Sequence, residues 1–140
     1  MFKATVYNVM IDSLSGSMEE VYVAKEVVRK WNQQNAERSG KLFLPVEWTT
    51  NSEELQNVDV VIGVIGNYID NKRLIEDCIE TGKKVLLFFS AYQDSHNTIQ
   101  SEHDAVKAFR ERVKARCFCA DFVGALELNK MLNERLLLLY

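Results

Sequence analysis

A chain of 140 residues, 47% hydrophobic and 26% charged, is long enough for one domain around one core and has the balance of an ordinary globular protein. Its net charge of −3 comes from interspersed acids and bases, and no basic face stands out, which sets nucleic acid aside as a partner. Met1 to Val6 lacks a charged region followed by a long apolar one, so no signal peptide is expected, and the longest aliphatic run, Leu136 to Leu139, is too short for a bilayer. Three cysteines, an odd number, point to a reducing cytoplasm rather than a disulfide framework.

Lys3 to Asp12 reads as a first strand, apolar toward its end at Val9, Met10 and Ile11, as a buried central strand should be. Ser13-Leu14-Ser15-Gly16 is a turn. Ser17 stands three residues before Glu20, the spacing of a capping box, and Val21, Ala24, Val27, Val28 and Trp31 recur behind it at helical spacing. Gly40 suits the helix stop. Leu42 to Trp48 is the second strand and contains the only proline, Pro45, which cannot donate to a ladder and therefore marks an edge strand or a strand end.

Between this strand and the third, Val60 to Ile65, only Asn51 to Val58 is available. A parallel crossover usually needs a dozen or more residues. Ser52 to Gln56 has room for about one helical turn. The layer over strands one and two should therefore be thin, and a second copy of the chain is the expected cover, giving a homodimer.

Lys72 to Thr81 reads as a helix stopped by Gly82, and Val85 to Phe89 as an apolar strand. Asn97 or Thr98 suits the cap of a helix running to about Ala115. Cys117 to Ala120 is a short fifth strand. Val123 to Leu139 is a last helix with Leu126, Met131, Leu132 and Leu136 on its buried side. Alternating strands and helices predict a parallel sheet with right-handed crossovers. The expected fold is a single three-layer αβα, flavodoxin-like sandwich of five parallel strands, order 2-1-3-4-5, with the helix after strand two reduced or absent.

Several segments, in order and spacing, resemble a known group. They are Ser13-Leu14-Ser15, Glu19-Glu20, Glu26-Val27-Val28, Trp31-Asn32, Leu44-Pro45-Val46 with Trp48, Asp59 to Gly63, and Gly82-Lys83 before Val85 to Ser90. The group comprises bacterial and phage-associated domains of unknown function with a TIR-like or nucleoside 2-deoxyribosyltransferase-like flavodoxin fold. The resemblance implies a signalling or interaction domain with a nucleotide-type ligand, NAD or a nucleoside, at the carboxyl ends of the strands. It also implies a glutamate at the start of the third helix that acts on a ribose. Leu74 aligns at that position. Glu76 is the nearest carboxylate and falls on a different side of the helix. The arginine that usually follows Glu20 is Val21 here. With the second helix missing and the loop after strand three cut to Asn67–Asn71, a catalytically degenerate member is expected. The alternative is a nucleoside or NAD glycosidase or transferase using Glu76, with Ser13 and Ser15 at the ribose or phosphate.

The loop Ser13, Ser15, Gly16, Ser17 lies at a helix N-terminus beside the point where strand order reverses, which suits a phosphate. A simple turn with a cap explains the same residues and is the favoured reading. Gly66, Tyr68, Ser90 and Tyr92, at the ends of strands three and four, complete the ligand-binding set. Tyr68 and Tyr92 suit a flat ring, as flavodoxin aromatics hold FMN, but low loop glycine content disfavours a flavin. Asp12 and Asp70 do not make a receiver-type phosphoacceptor pocket, because Ile65-Gly66 and Asp121 stand where its aspartate and lysine belong. Glu76 and Glu80 read as one solvated helix face. Cys117 and Cys119 share a strand face and, with Cys78, read as buried inert thiols; no third or fourth ligand follows at metal spacing. His96 and His103 read as surface residues.

Overall fold

The computed structural model describes residues 1–15, 18–91 and 99–140. In chain order the elements are β1 (Thr5–Ser13), α1 (Met18–Ser39), β2 (Lys41–Val46), α2 (Ser52–Leu55), β3 (Val60–Ile65), α3 (Lys72–Glu80), β4 (Lys84–Ser90), α4 (Gln100–Val113), β5 (Phe118–Phe122) and α5 (Gly124–Leu138). The strands form one parallel sheet in the order β2-β1-β3-β4-β5. One core lies between the sheet and α1 with α5, and the other between the sheet and α3 with α4. The three-layer flavodoxin-like arrangement is thus as expected. β3 is buried along its whole length, which fits its unbroken apolar sequence.

The proline strand is an edge strand, paired only with β1 among the described residues. Its free side is partly closed from an unexpected direction. Asn32 of α1 donates from Nδ2 to the Phe43 carbonyl at 2.7 Å and accepts the Phe43 N–H on Oδ1 at 2.9 Å. One side-chain amide thus stands in for the missing neighbour strand. Backbone groups alternate sides along a strand, so Pro45, two residues beyond Phe43, also faces this free side, where its missing N–H leaves the ladder intact. At the other end of β2's approach, Gly40 ends α1 at φ +70°, a conformation that favours glycine, and donates its N–H to the Ala36 carbonyl.

The crossover from β2 to β3 is as short as the sequence requires. α2 is a single turn, started by the Asn51 side chain, which accepts from the N–H groups of Glu53 at 2.9 Å and Glu54 at 3.3 Å. The entry to β3 is pinned to β1: Asp59 donates its N–H to the Asn8 carbonyl at 2.9 Å, and its carboxylate accepts the Asn8 N–H at 2.8 Å. Val46, Trp48 and Leu55 pack against the α3–α4 core from this side. They do not cover the whole face. Val6 is 50% exposed and Leu44 46%, and strand alternation puts both on the side that α2 serves.

Two details differ from expectation. β5 begins one residue later and runs on to Phe122. Leu126 is not on the buried side of α5; it is 89% exposed, and the buried line is Leu128, Leu132 and Leu136. Those three residues repeat at i, i+4, i+8, and two residues back from Leu128 a helix has turned through about 200°. The predicted caps Asn97 and Thr98, and His96, lie outside the described residues.

Replacing Asn32 by alanine should strand both peptide groups of Phe43 and destabilise the fold by about 1–3 kcal/mol. Asn32→Asp should also weaken it, because a carboxylate cannot donate to the Phe43 carbonyl. Urea unfolding should show a lower midpoint with an unchanged slope.

Candidate functional site at the carboxyl ends of the strands

β1 ends at Ser13, and the chain then steps across toward β3. Leu14 donates its N–H to the Val64 carbonyl at 2.9 Å, and its carbonyl accepts the Asp70 N–H at 2.7 Å. Its side chain is buried in the α3–α4 core, over Gly63. A Cβ at Gly63 would stand 3.0 Å from both Leu14 Cδ1 and Leu87 Cδ2, so glycine there is what lets Leu14 lie down.

Ser15 completes the lock. Its Oγ accepts the Gly66 N–H at 2.6 Å and donates to the Tyr68 carbonyl. Its own N–H reaches Ser13 Oγ at 3.3 Å. The structure therefore brings together four residues of the predicted site, Ser13, Ser15, Gly66 and Tyr68, but ties them to one another. A hydroxyl has one proton, and that of Ser15 is already given to Tyr68. The Gly66 N–H is likewise engaged. Neither is left to donate to a phosphate. Ser13 is buried, and Tyr68 is half-buried rather than an exposed platform. Gly16, Ser17 and Tyr92 lie outside the described residues.

Ser90 sits elsewhere on the same edge. It ends β4 opposite Phe122 in register and lines a cleft of about 320 Å³ between the starts of α1 and α5. Glu19, Glu20, Val23, Phe122 and Gly124 line it as well. The two glutamates were legible in the sequence only as an acidic first turn, which complements the helix dipole. Only the fold carries them to Ser90. Among the described residues this lining has carboxylates and no cation.

Two further groups stand at this end of the sheet. Asn67 Oδ1, in the loop after β3, is buried without a hydrogen-bond partner. Burial pushes the Asp12 carboxyl above its ordinary range, against the smaller opposing effects of a backbone hydrogen bond at Ser13 and the charge of Lys25. Asp70 is exposed.

Glu76 lies away from this edge, on the seam between α3 and α4. Its Oε1 accepts from Arg112 Nε at 2.9 Å, and one turn on Glu80 meets Arg116 at 3.6 Å. The face is solvent-exposed, as expected, and carries two ion pairs of a kind that contributes little stability. Glu76 does not line the strand-end cleft. Leu74 lines a separate hollow on the α2–α3 side, with Leu55 and Cys78. Among the described residues no three or more His, Cys, Asp or Glu are grouped to hold a metal ion, and no helix is long and apolar enough to cross a membrane.

No protein-family model matches the chain, and no curated protein matches it. Among solved structures it is similar to a short-chain flavodoxin associated with a non-canonical PDU bacterial microcompartment. That match has a TM-score of 0.55 and 14% identity, over 98% of this chain and 97% of the other. It is also similar to the homoserine dehydrogenase of S. aureus, with a TM-score of 0.49 and 11% identity over 87% of this chain; the chain spans 33% of that enzyme's length. At such identities likeness speaks to fold, and the flavodoxin match supports a flavodoxin-like fold.

Ser15→Ala should leave the Gly66 N–H and the Tyr68 carbonyl without their partner, destabilising the domain by about 1–3 kcal/mol and speeding hydrogen exchange at Gly66. Asp12→Asn should act in the opposite direction. A carboxyl whose folded pKa is raised weakens the fold once it ionises. The variant should therefore melt higher than the parent at neutral pH, with the gain vanishing as pH falls below the ordinary value of 3.8.

Proposed function

We propose that this chain is a TIR-like, nucleoside 2-deoxyribosyltransferase-like interaction domain whose chemistry is degenerate, and which holds a nucleotide-type ligand at the carboxyl ends of its strands without cleaving it. The observation that carries the reading is the placement of Glu76. It is the one carboxylate the family resemblance offers for a ribose, and it is paired with Arg112 between two helices. A general base or nucleophile must stand within hydrogen-bond reach of the reacting sugar.

The chemistry of the edge favours a nucleoside over its phosphate esters. The Ser15 proton and the Gly66 N–H are committed. The cleft beside Ser90 offers acceptor atoms, those of the Glu19 carboxylate. Sugar hydroxyls and base amino groups donate to such atoms, whereas a phosphate is repelled by them. The partly bare face at Val6 and Leu44 supports the second element of the reading, a homodimer that covers it.

Incubation with NAD or with deoxynucleosides should release no free base, as followed by chromatography, from the parent and from Glu76→Gln alike. Base release by the parent that Glu76→Gln abolishes would overturn the reading. Titration followed by NMR should show nucleosides shifting strand-end resonances at lower concentration than their 5′-phosphates. Sedimentation at high protein concentration should find a dimer that Leu44→Glu returns to a 16.1 kDa monomer.

A further inference from the structure

The sheet edge opposite the proline strand carries a pair of groups that the ligand reading does not use. β5 lies at this edge, beyond β4. Cys119 is on β5, and Cys117 is the residue before its first. Two residues apart on extended backbone, both side chains point to the α3–α4 side, and both pack at the margin of that core. Cys78 is buried, as the inert-thiol expectation requires, but Cys117 and Cys119 are only half-buried. Their sulfurs are 3.9 Å apart and unbridged.

That separation is a weak thiol hydrogen bond, and a disulfide needs about 2.05 Å. On extended backbone the Cα atoms of i and i+2 lie roughly 6.5 Å apart, near the long limit of disulfide geometry. A bond between these cysteines needs the edge strand to bend until their Cβ atoms come within about 4.5 Å, and it will be strained. Strained disulfides are readily reduced again. The geometry therefore suits a bond that is made and broken, not a permanent crosslink.

The surroundings distinguish the two thiols. Arg110 of α4 reaches across the same face to pair with Asp121, with its guanidinium over the Phe89 ring. This carries a cation past Cys119. The hydrogen bond with Cys117, then the charge of Arg110, hold the Cys119 thiol below its ordinary range, against burial and Asp121. The same hydrogen bond, then burial, push Cys117 up, with Arg116 opposing.

We propose that Cys119 and Cys117 form a reversible dithiol–disulfide exchange site that acts on low-molecular-weight disulfides, with Cys119 as the attacking thiolate and Cys117 as the resolving thiol. The Cys119 thiolate attacks one sulfur of the disulfide. The S–S bond breaks, one thiolate leaves and takes a proton from water, and a mixed disulfide remains on Cys119. Cys117 then gives its proton to water, attacks Cys119 Sγ and expels the second thiolate, closing the Cys117–Cys119 bond. The protein loses two electrons and two protons, and the substrate disulfide becomes two thiols.

Oxidised glutathione serves as the probe, read by intact mass and peptide mapping. The parent should lose two hydrogens and yield a peptide bridging Cys117 and Cys119, with Cys78 untouched. Cys117→Ser should stop at a stable mixed disulfide on Cys119. Cys119→Ser should react roughly tenfold more slowly or worse, its remaining thiol being the poorer nucleophile. A parent that stays reduced, or that stops at a mixed disulfide, would overturn the proposal. So would equal rates for the two serine variants. A measurement on the parent keeps the test independent of how the variants fold. Alkylation by iodoacetamide should label Cys119 first, with a pH midpoint below the ordinary thiol value of about 8.5, and Arg110→Ala should raise that midpoint. Labelling of Cys117 first, or an unmoved midpoint, counts against it.

Discussion

The hydroxyl of Ser15 is the interaction on which the functional edge of this domain depends. In an open parallel sheet the crevice outside the strand ends, at the point where strand order reverses, is the natural place for a ligand. Here that crevice lies between the loops that follow β1 and β3. Ser15 bonds to Gly66 and Tyr68, and Leu14 bonds to Val64 and Asp70, so the two loops are sewn together. The Ser15 hydroxyl and the Gly66 N–H are spent on holding the loops. The remaining opening is displaced to the α1–α5 side, at Ser90, where the lining is acidic.

The two faces of the sheet are unequal, and the inequality follows from chain length. Between β2 and β3 the chain has room for one helical turn, so α2 covers little, while α1 alone runs from Met18 to Ser39. The margin of the sheet is nonetheless defended. The Asn32 amide occupies both peptide groups of Phe43, and Pro45 has no N–H to offer at the same free side. Such an edge resists strand addition by another chain. What remains open is the flat face around Val6 and Leu44, so association at this end would join faces rather than extend the sheet.

Side chains that sequence spacing grouped together were sorted differently by packing. Glu76 and Glu80 share a helix face, and Arg112 of α4 pairs with the first while Arg116, just beyond α4, meets the second. Cys78, Cys117 and Cys119 are alike as residue types, yet only Cys78 is buried. The other two are half-buried and meet at an edge strand, on the face where Arg110 pairs with Asp121.

The sequence by itself determined the strand order, the confinement of Pro45 to an edge strand or a strand end, the thin second layer and the stop at Gly40. These rest on local physics: hydrophobic period, a missing N–H, a short connection and a positive φ all act within a few residues. Leu126 shows where even local reading failed, since several leucines on α5 satisfy a helical repeat and only contact with α1 and the sheet selects among them. The state of the candidate site was decided by tertiary structure alone. Ser15 meets Gly66 across 51 residues and Tyr68 across 53, and Glu76 meets Arg112 across 36. A hydroxyl or a carboxylate in a sequence looks available for chemistry; whether it is depends on the partner that folding brings to it.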